Sequence, residues 1–329
     1  MKRRVTIEDI AAEVGVSRQT VTRAMNGMPR ISPQTRERVL EASRRLGYQP
    51  SRFAKNLASN TKTRAIGFVV ESFRNPYYSE FTAELLSLTA ARGWQMNVSS
   101  QEVASPLELP RRLAGEVDVV VGYFDSDPLE LVTATQGIPV ILIGEAPELP
   151  GLHSVSIDFG TGVETLLEDL RQRGSKRFGL LETNLVTRDY RPSDRRRAYE
   201  RHAGPDSREA IVVCDMDLRS IDAGAVGLRQ LMREHPEAAT VVAFTDLMAM
   251  GALSAAHADG LAVPGDVRIV GTDGLSLGSL TVPPLSSLDV IHCGLAEAVT
   301  DLIERVLDGT AEPSEHVTVT PLPLWRESA

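Results

Sequence analysis

Eight short apolar runs follow one another along the chain after residue 64, with helical stretches between them. The runs are "AIGFVV", "WQMNVS", "VDVVVGYF", "PVILIG", "RFGLLE", "AIVVCD", "TVVAFTD" and "VRIVGTDG". Continuous Val, Ile and Leu strands that alternate with amphipathic helices indicate parallel sheets covered on both faces. About ten strands in all would exceed one small sheet. We therefore predict the α/β class, with two similar subdomains.

The charge of the chain is divided unevenly. Residues 1–64 contain 14 Lys and Arg against 5 Asp and Glu, whereas the remainder contains 21 against 39. The whole chain of 329 residues has a net charge of −9. A basic arm on an acidic body is typical of a protein whose arm binds a polyanion.

Helix start and stop signals divide this basic arm into three helices. Thr6 is a candidate N-cap, and Asp9 three residues later completes a capping box. Gly15 permits a tight turn, after which Ser17 caps a second helix and Ser32 caps a third that ends before Gly47. Two helices joined by a short turn and braced by a third form a helix-turn-helix, whose second helix enters the DNA major groove.

The second helix lies in "VGVSRQTVTRAMNG" and has two unlike faces. Val21, Ala24 and Met25 form its apolar face, while the opposite face carries hydroxyl, amide and guanidinium groups. Arg can donate two hydrogen bonds to guanine and Gln can pair with adenine, whereas hydroxyl groups suit phosphates. The alternative is a solvated amphipathic helix. The candidate base-reading residues are Arg18, Gln19 and Arg23, and the other candidate DNA contacts are Thr6, Ser17, Thr20, Thr22 and Asn26.

A short basic segment connects the arm to the α/β body. Ser51 can cap a helix from Arg52 to Ser59, which is too short to be stable alone in water. Such a helix could fold on DNA, where Lys55 would contact phosphate. Composition alone would leave Leu57 as an ordinary linker residue.

These motifs resemble, in order and over nearly the whole chain, the lactose-repressor (LacI/GalR) family of bacterial transcription regulators. The resemblance rests on "TIEDIAAEVGVSRQTVTRAMNG", "ISPQTRERVLEASRRLGYQPSRFAKNLAS", "RAIGFVV", "NPYY", "TDLMAMGAL", "GLAVPGDVRIVGTDG", "PPLSSL" and "LPLWRES". It implies that Leu57 wedges into the minor groove at the operator centre, where apolar wedges kink DNA. It also places Arg30 at a loop position that meets DNA.

The resemblance further implies a helix-turn-helix head over 1–50, a hinge over 51–64 and a periplasmic-binding-protein-like core of two parallel-sheet α/β subdomains over 65–329. The chain would cross between the subdomains near Asp158, Leu288 and Gly309. The N-subdomain would then hold about 65–158 and 289–309, and the C-subdomain about 159–288 and 310–329.

Ligands of such sheets bind beyond the carboxyl ends of the strands. Asp273 follows "VRIVGT", where its carboxylate can accept two sugar hydroxyls. Arg195 in "PSDRRRAYE" matches the family arginine that reaches the ligand from a helix start, although consecutive arginines can also form a solvated face. Asp246 is expected to cap the following helix. The remaining effector-binding candidates are Tyr77 and Tyr78, which could instead pack at a helix start, and the weaker pair Asp158 and Thr245.

Some positions depart from the family pattern. Thr245 stands where the family usually has Asn, and Gly174-Ser175 replaces the usual Gly-His. The stretch "TRDYRPSD" places Asp189 and Arg191 near the mouth of the expected site. A sugar or sugar acid is the effector that the family favours, and a nucleobase or another small polar metabolite stays open.

Three functions compete: a ligand-responsive DNA-binding regulator, a sugar-binding protein without a DNA role, and a sugar-processing enzyme. No P-loop, GxSxG or HExxH motif occurs, and the two cysteines have no metal spacing. We therefore predict a repressor without enzymatic activity, cofactor or metal.

The start "MKRRVTIEDI" lacks an apolar h-region and no run suits a membrane helix, which favours the cytoplasm. With no heptad extension after "LPLWRESA", we expect a homodimer on a palindromic double-stranded operator.

Overall fold

A computed structural model describes residues 6–25, 31–46, 64–102, 107–184, 190–215 and 220–329. The chain divides into two compact units, Met1–Thr63 and Arg64–Ala329. Among the helices within those ranges, none is long and apolar enough to cross a membrane.

The described residues of the first unit, 6–25 and 31–46, contain three helices, α1 (Ile7–Val14), α2 (Arg18–Met25) and α3 (Pro33–Leu46). The three predicted caps are confirmed. Thr6 and Asp9 form a complete capping box, and Ser17 and Ser32 each accept a backbone N–H bond of 3.1 Å at the start of their helix. Gly15 turns the chain with φ of +71°. The helices are held together by one small apolar core built around Ile10, Val14, Val21, Ala24, Val39 and Ala42.

The described residues of the second unit form two six-stranded sheets. This confirms the predicted pair of α/β subdomains, although about ten strands were expected. The first sheet has the strand order β11-β5-β4-β3-β1-β2, and all of its neighbouring strands are parallel. We call this sheet and its helices the N-terminal subdomain. Its elements are β1 (Ala65–Val70), α4 (Pro76–Ala91), β2 (Gln95–Ser100), α5 (Glu108–Leu113), β3 (Val119–Gly122), α6 (Pro128–Ala134), β4 (Val140–Ile143), β5 (Leu152–Ile157), α11 (Leu295–Asp308) and β11 (His316–Val319).

The second sheet has the order β12-β10-β9-β8-β6-β7 and is parallel except at its β12 edge. We call it, with its helices, the C-terminal subdomain. Its elements are α7 (Phe159–Gln172), β6 (Phe178–Asn184), α8 (Asp194–His202), β7 (Ile211–Asp215), α9 (Ser220–Glu234), β8 (Thr240–Ala243), α10 (Asp246–Ala258), β9 (Arg268–Asp273), a 3-10 helix (Ser276–Leu280), β10 (Ser286–Asp289) and β12 (Leu322–Leu324).

The last crossing between the subdomains differs from the sequence prediction. Strand β11 pairs with β5 in the first sheet, with His316 opposite Ser154. The chain therefore leaves the N-terminal subdomain after Val319, and the prediction of a crossing near Gly309 was wrong. The four-residue edge strand "HVTV" alternates polar and apolar residues, so it lacks the continuous apolar signal of the central strands.

Candidate functional site

The surface of α2 carries exposed polar side chains over a buried apolar face. Val21 and Ala24 lie in the core of the first unit, whereas Arg18 and Gln19 are exposed and Arg23 is half-buried. The helix thus presents one guanidinium and one amide to solvent near its N-terminus. A helix that reads base edges in the major groove needs this arrangement.

The hydroxyl groups around α2 already have partners within the unit. Ser17 Oγ lies 2.9 Å from Thr20 Oγ1, and Thr22 Oγ1 donates to Arg18 O at 3.1 Å. Thr6 Oγ1 donates to Asp9 Oδ2 at 2.9 Å as part of its capping box. These bonds fix the starts of the helices, and phosphate contacts by the same residues stay predictions.

Arg18 also has a carboxylate neighbour. Its Nη1 lies 3.6 Å from Glu8 Oε1 on α1, and both side chains are mostly exposed. Four further DNA-binding candidates, Asn26, Arg30, Lys55 and Leu57, lie outside the described residues.

The effector-binding candidates of the C-terminal subdomain meet at the carboxyl edge of its sheet. Asp273 ends β9, Thr245 follows β8, and Arg195 lies in the first turn of α8. Arg195 Nη2 is 3.9 Å from Asp273 Oδ1. The structure therefore brings together two residues that are 78 positions apart in the sequence.

Two aromatic rings enclose the Arg195 guanidinium. Its central carbon lies 4.6 Å from the ring centre of Phe159 and 4.3 Å from that of Phe244. Cations are attracted to ring faces at such distances. Arg195 Nε is buried and has no hydrogen-bond partner among the described residues. A buried donor without a partner is costly, so this atom calls for an acceptor beyond those that the described part of the chain supplies.

Asp246 belongs to the same site, and the prediction that it caps α10 was wrong. Thr245 is the N-cap, since its Oγ1 accepts the Met248 N–H at 3.2 Å. Asp246 is fully buried instead and donates its backbone N–H to Asp273 Oδ2 at 3.1 Å. Thr245 directly precedes Asp246 after an apolar strand, and only the fold shows that Thr245 caps the helix.

The two neighbouring carboxyl groups affect one another. Burial raises the pKa of Asp246 to about 6, against hydrogen bonds that lower it. Burial raises the pKa of Asp273 well above its ordinary value, and the Asp246 carboxylate raises it further while Arg195 lowers it. The site therefore favours a single negative charge over two.

Three tyrosines lie in the N-terminal subdomain beside this site. Tyr77 and Tyr123 share a hydroxyl–hydroxyl bond of 2.8 Å, and the ring of Tyr78 stands edge-on to both at centre distances of 5.2 and 5.1 Å. Tyr78 donates its hydroxyl to Glu71. Sequence reasoning missed Tyr123, although its place directly after β3 is the same signal that identified Asp273.

Tyr77 also connects the two subdomains. It is buried and packs in one cluster with Leu275, Val290 and Ile291. Burial raises its pKa above the ordinary range, so its hydroxyl is neutral. The helix-start packing weighed for Tyr77 is thus what the structure contains, while a role against a ligand stays a prediction.

Asp158 serves as the N-cap of α7. It accepts the backbone N–H of Thr161 at 3.0 Å and the Thr161 hydroxyl at 2.6 Å. These bonds lower the pKa of Asp158. Arg191 is exposed, and Asp189 lies outside the described residues.

Fold and site together define a class: a helix-turn-helix unit joined to a two-subdomain α/β core with a partly unsatisfied polar site. Comparison with known proteins agrees with this description. Residues 6–51 match the model of bacterial regulatory proteins of the lacI family, and residues 167–329 match that of the periplasmic binding protein-like domain.

Similar proteins cover almost the entire chain. The HTH-type transcriptional regulator CelR of Thermobifida fusca is 30% identical over 99% of both chains. Catabolite control protein A of Priestia megaterium is 28% identical over 86% of this chain and 87% of its own. A LacI family regulator from Arthrobacter, solved in complex with lactose, is 26% identical over 80% of this chain and 98% of its own, with a TM-score of 0.73.

The lac repressor dimer bound to operator shares the fold, with a TM-score of 0.77 over 99% of both chains. The chain belongs to the LacI family of bacterial regulatory proteins. It is a DNA-binding transcriptional regulator controlled by a small-molecule effector.

Proposed function

We propose that this regulator is a repressor whose effector is a sugar or sugar derivative bound between the two subdomains, against Arg195 and Asp273. The observation that carries this proposal is the buried Nε of Arg195, which has no hydrogen-bond partner in the part of the chain that the structure describes. The rings of Phe159 and Phe244 lie with their centres 4.6 and 4.3 Å from the guanidinium carbon, and the N–H groups of the guanidinium are the atoms that can donate to a ligand.

A polyol fits the chemistry of this edge. Asp273 is a buried acceptor 3.9 Å from the guanidinium, so a ligand there must supply an acceptor and a donor side by side. Each sugar hydroxyl is both a donor and an acceptor. A small, mostly aromatic site with a few convergent polar groups is also typical of small-molecule sites. The lactose complex of the Arthrobacter relative supports the same ligand class.

For the other end of the chain, we propose that Arg18, Gln19 and Arg23 read base edges of a palindromic operator. Their placement on the exposed and half-buried face of α2 supports this assignment. Wedging by Leu57, phosphate binding by Asn26 and Lys55, and a DNA contact by Arg30 belong to the same proposal. Because such a regulator acts on the bacterial chromosome, we place it in the cytoplasm and assign it no catalytic activity.

The test is a binding screen on the full chain. Neutral mono- and disaccharides, with lactose and cellobiose among them, and the matching sugar acids are added while thermal unfolding is followed. A compound that raises the Tm is then titrated against the protein bound to an operator duplex selected from random sequence. We expect a sugar to raise the Tm and to release the duplex. Conversion of the sugar to a product would contradict the assignment of a regulator without enzymatic activity.

We further propose that the chain forms a homodimer through the C-terminal subdomain. Leu277, Leu280 and Val282 lie in one short segment, and Leu280 and Val282 are 76% and 89% exposed. Contiguous exposed apolar side chains of this kind mark interaction surfaces. The dimer of the lac repressor, which shares this fold, supports the same assembly.

Sedimentation of single variants tests the dimer. Leu280→Asp places a charge in the proposed interface, so we expect it to sediment as a monomer at micromolar concentration. Leu129→Asp is the matched control, since Leu129 is an exposed leucine of the N-terminal subdomain. A wild-type monomer, or a tetramer, would contradict the proposal.

A further inference from the structure

One polar contact connects the two subdomains close to the effector site. Glu80 on α4 of the N-terminal subdomain accepts two hydrogen bonds from Ser276 of the C-terminal subdomain. Ser276 N donates to Glu80 Oε2 at 3.0 Å, and Ser276 Oγ donates to Glu80 Oε1 at 2.8 Å. Both oxygens of one carboxylate are thus engaged by one residue of the other subdomain, which fixes their relative position more tightly than a single bond.

Ser276 lies three residues after Asp273, and the segment between them is hydrogen-bonded to the side chain of Asp246. Asp246 Oδ2 accepts the backbone N–H groups of Gly274 at 3.1 Å and Leu275 at 2.7 Å. Asp246 Oδ1 accepts the hydroxyl of Ser287 at 2.6 Å. One buried carboxylate therefore fixes two successive peptide groups of the Asp273–Ser276 loop.

Small residues make room for this arrangement. A Cβ at Gly271 would lie 1.9 Å from Asp246 Oδ1, and Gly274 has φ of +87°. Any larger residue at 271 would displace the carboxylate, and the backbone of Gly274 suits glycine. The close fit makes the loop a stiff segment, not an adaptable one.

The side chain of Leu275 adds an apolar contact in the same direction. It is fully buried and packs in the cluster that contains Tyr77 of the N-terminal subdomain. The loop therefore begins at the carboxylate facing Arg195 and ends in polar and apolar contacts with α4. A displacement of Asp273 would therefore move the three residues that follow it, up to Ser276, and would change their contacts with α4.

We propose that the Asp273–Ser276 loop transmits a displacement at the effector site to the N-terminal subdomain. Asp246 is the positioning residue of this loop, and Glu80 is the residue of the N-terminal subdomain that the loop contacts. The role of Asp273 toward the effector rests on the function proposed above. The mechanical link from Asp246 to Glu80 does not, because it consists of contacts within the protein.

The experiment measures the distance between the subdomains without any sugar. Spin labels are placed on Leu129→Cys and Leu322→Cys, two exposed positions on opposite subdomains, in the full chain carrying Cys293→Ser. Cys214 is buried. Labelled chains are diluted with unlabelled chains so that distances within one chain dominate, and pulsed dipolar spectroscopy gives the distance distribution.

We expect Glu80→Ala to lengthen and broaden the distance distribution, and Ser276→Ala to do so less, since it keeps its backbone N–H. Asp246→Asn should change the distribution in the same direction, although Asp246 does not touch Glu80. The double variant Asp246→Asn/Glu80→Ala should change it no more than Glu80→Ala alone. Ser287→Ala is the replacement if Asp246→Asn does not fold. It removes one hydrogen bond to the same carboxylate and the hydroxyl that accepts the backbone N–H groups of Asp273 and Gly274, so it loosens the same loop.

Glu102→Ala is the matched control. Its carboxylate binds Arg74 at 2.7 Å within the N-terminal subdomain, so its loss should leave the distribution unchanged. A Glu80→Ala variant that lowers the Tm without changing the distances would overturn the proposal. So would additive changes in the double variant, since two independent contacts would then be acting. Because no sugar is present, neither result depends on which effector the regulator binds.

Discussion

Two arginines of this chain, each beside one carboxylate, are placed in opposite surroundings. Arg18 lies 3.6 Å from Glu8, and its side chain is 72% exposed. Arg195 lies 3.9 Å from Asp273, and its side chain is 19% exposed between two aromatic rings. The two arginine–carboxylate distances are similar, so the two sites differ in how far the arginine side chain is exposed to solvent.

Water around Arg18 screens its attraction to Glu8, and an exposed pair of this kind contributes little to stability. Arg18 is therefore free to leave Glu8 for a base edge at small cost. Around Arg195 water is largely excluded. Removing Asp273 would leave the buried Arg195 charge without its carboxylate, and removing Arg195 would leave Asp273 as a buried acceptor without its cation. The proposed DNA site is thus available to an incoming partner, whereas the proposed effector site is arranged in advance.

The largest expected effect is that of Arg195→Ala on effector binding. We expect a loss of about 2–5 kcal/mol, because the variant leaves Asp273 buried without its cation. Operator affinity without effector should stay within twofold of wild type. Isothermal titration with the sugar found in the screen, and anisotropy titration with operator, give the two values. Arg197→Ala is the control, since Arg197 is an exposed neighbour on the same helix; equal losses in both variants would contradict the assignment.

Arg18→Ala is expected to cost about 1–3 kcal/mol of operator binding, the range for an arginine that pairs with a guanine. On unrelated duplex most of this cost should vanish, because phosphate contacts dominate there. Anisotropy titration against both duplexes at two salt concentrations separates the two cases. Arg44→Ala, on the exposed part of α3, should instead leave the ratio of the two affinities unchanged. A loss of equal size on both duplexes would show that Arg18 reads no base.

The same contrast explains how far the sequence predicted each site. The α2 surface follows from local rules, since the period of Val21 and Ala24 and the cap at Ser17 decide which side chains are exposed. Arg195 and Asp273 were found through the family resemblance and the rule that sites follow strands. Their burial and the enclosing rings of Phe159 and Phe244 depend on the packing of distant segments, which periodicity does not report.

Contacts of long sequence separation account for what was missed. Asp246 was expected to cap a helix because the backbone donors that occupy its carboxylate come from residues 274 and 275. Glu80 gave no signal at all, since its partner Ser276 is 196 residues away. The edge strand β11 was assigned to the wrong subdomain for a similar reason, because its pairing with β5 spans 162 residues.

The buried carboxyl pair predicts a pH effect confined to the core. Burial raises the folded-state pKa of Asp246 from 3.8 to about 6. A group with a raised pKa stabilises the fold fully below its unfolded pKa, and this contribution is lost as the pH rises through the folded value. We therefore expect the free energy of unfolding of the core to fall by about 1–2 kcal/mol from pH 4 to pH 6 through this pair.

Asp273→Asn should reduce that fall, because it replaces the second carboxyl group of the buried pair, whose pKa is also raised, with a neutral amide. Denaturant unfolding followed by the fluorescence of Trp94 and Trp325 reports on the core, which contains both tryptophans of the chain. Asp158→Asn is the control of opposite sign. The pKa of Asp158 is lowered by its bonds to Thr161, so its contribution is present above the ordinary carboxyl pKa and is lost as the pH falls. An unchanged pH slope in Asp273→Asn would contradict the coupling of the two groups.

The smallest expected effect belongs to the exposed pair on the DNA-binding unit. Glu8→Gln frees Arg18 from its 3.6 Å neighbour and removes a negative charge beside α2. An exposed ion pair contributes less than about 1 kcal/mol, so operator affinity should rise by no more than about fivefold. The loss of charge alone should strengthen binding to any duplex, whereas the release of Arg18 should strengthen binding to the operator only. The gain on operator should therefore exceed the gain on unrelated DNA, most clearly at low salt.

Glu13→Gln is the matched control, since Glu13 is also on α1 but pairs with Arg45 of α3. An equal gain in Glu8→Gln and Glu13→Gln would show that general charge, not the freedom of Arg18, sets the affinity.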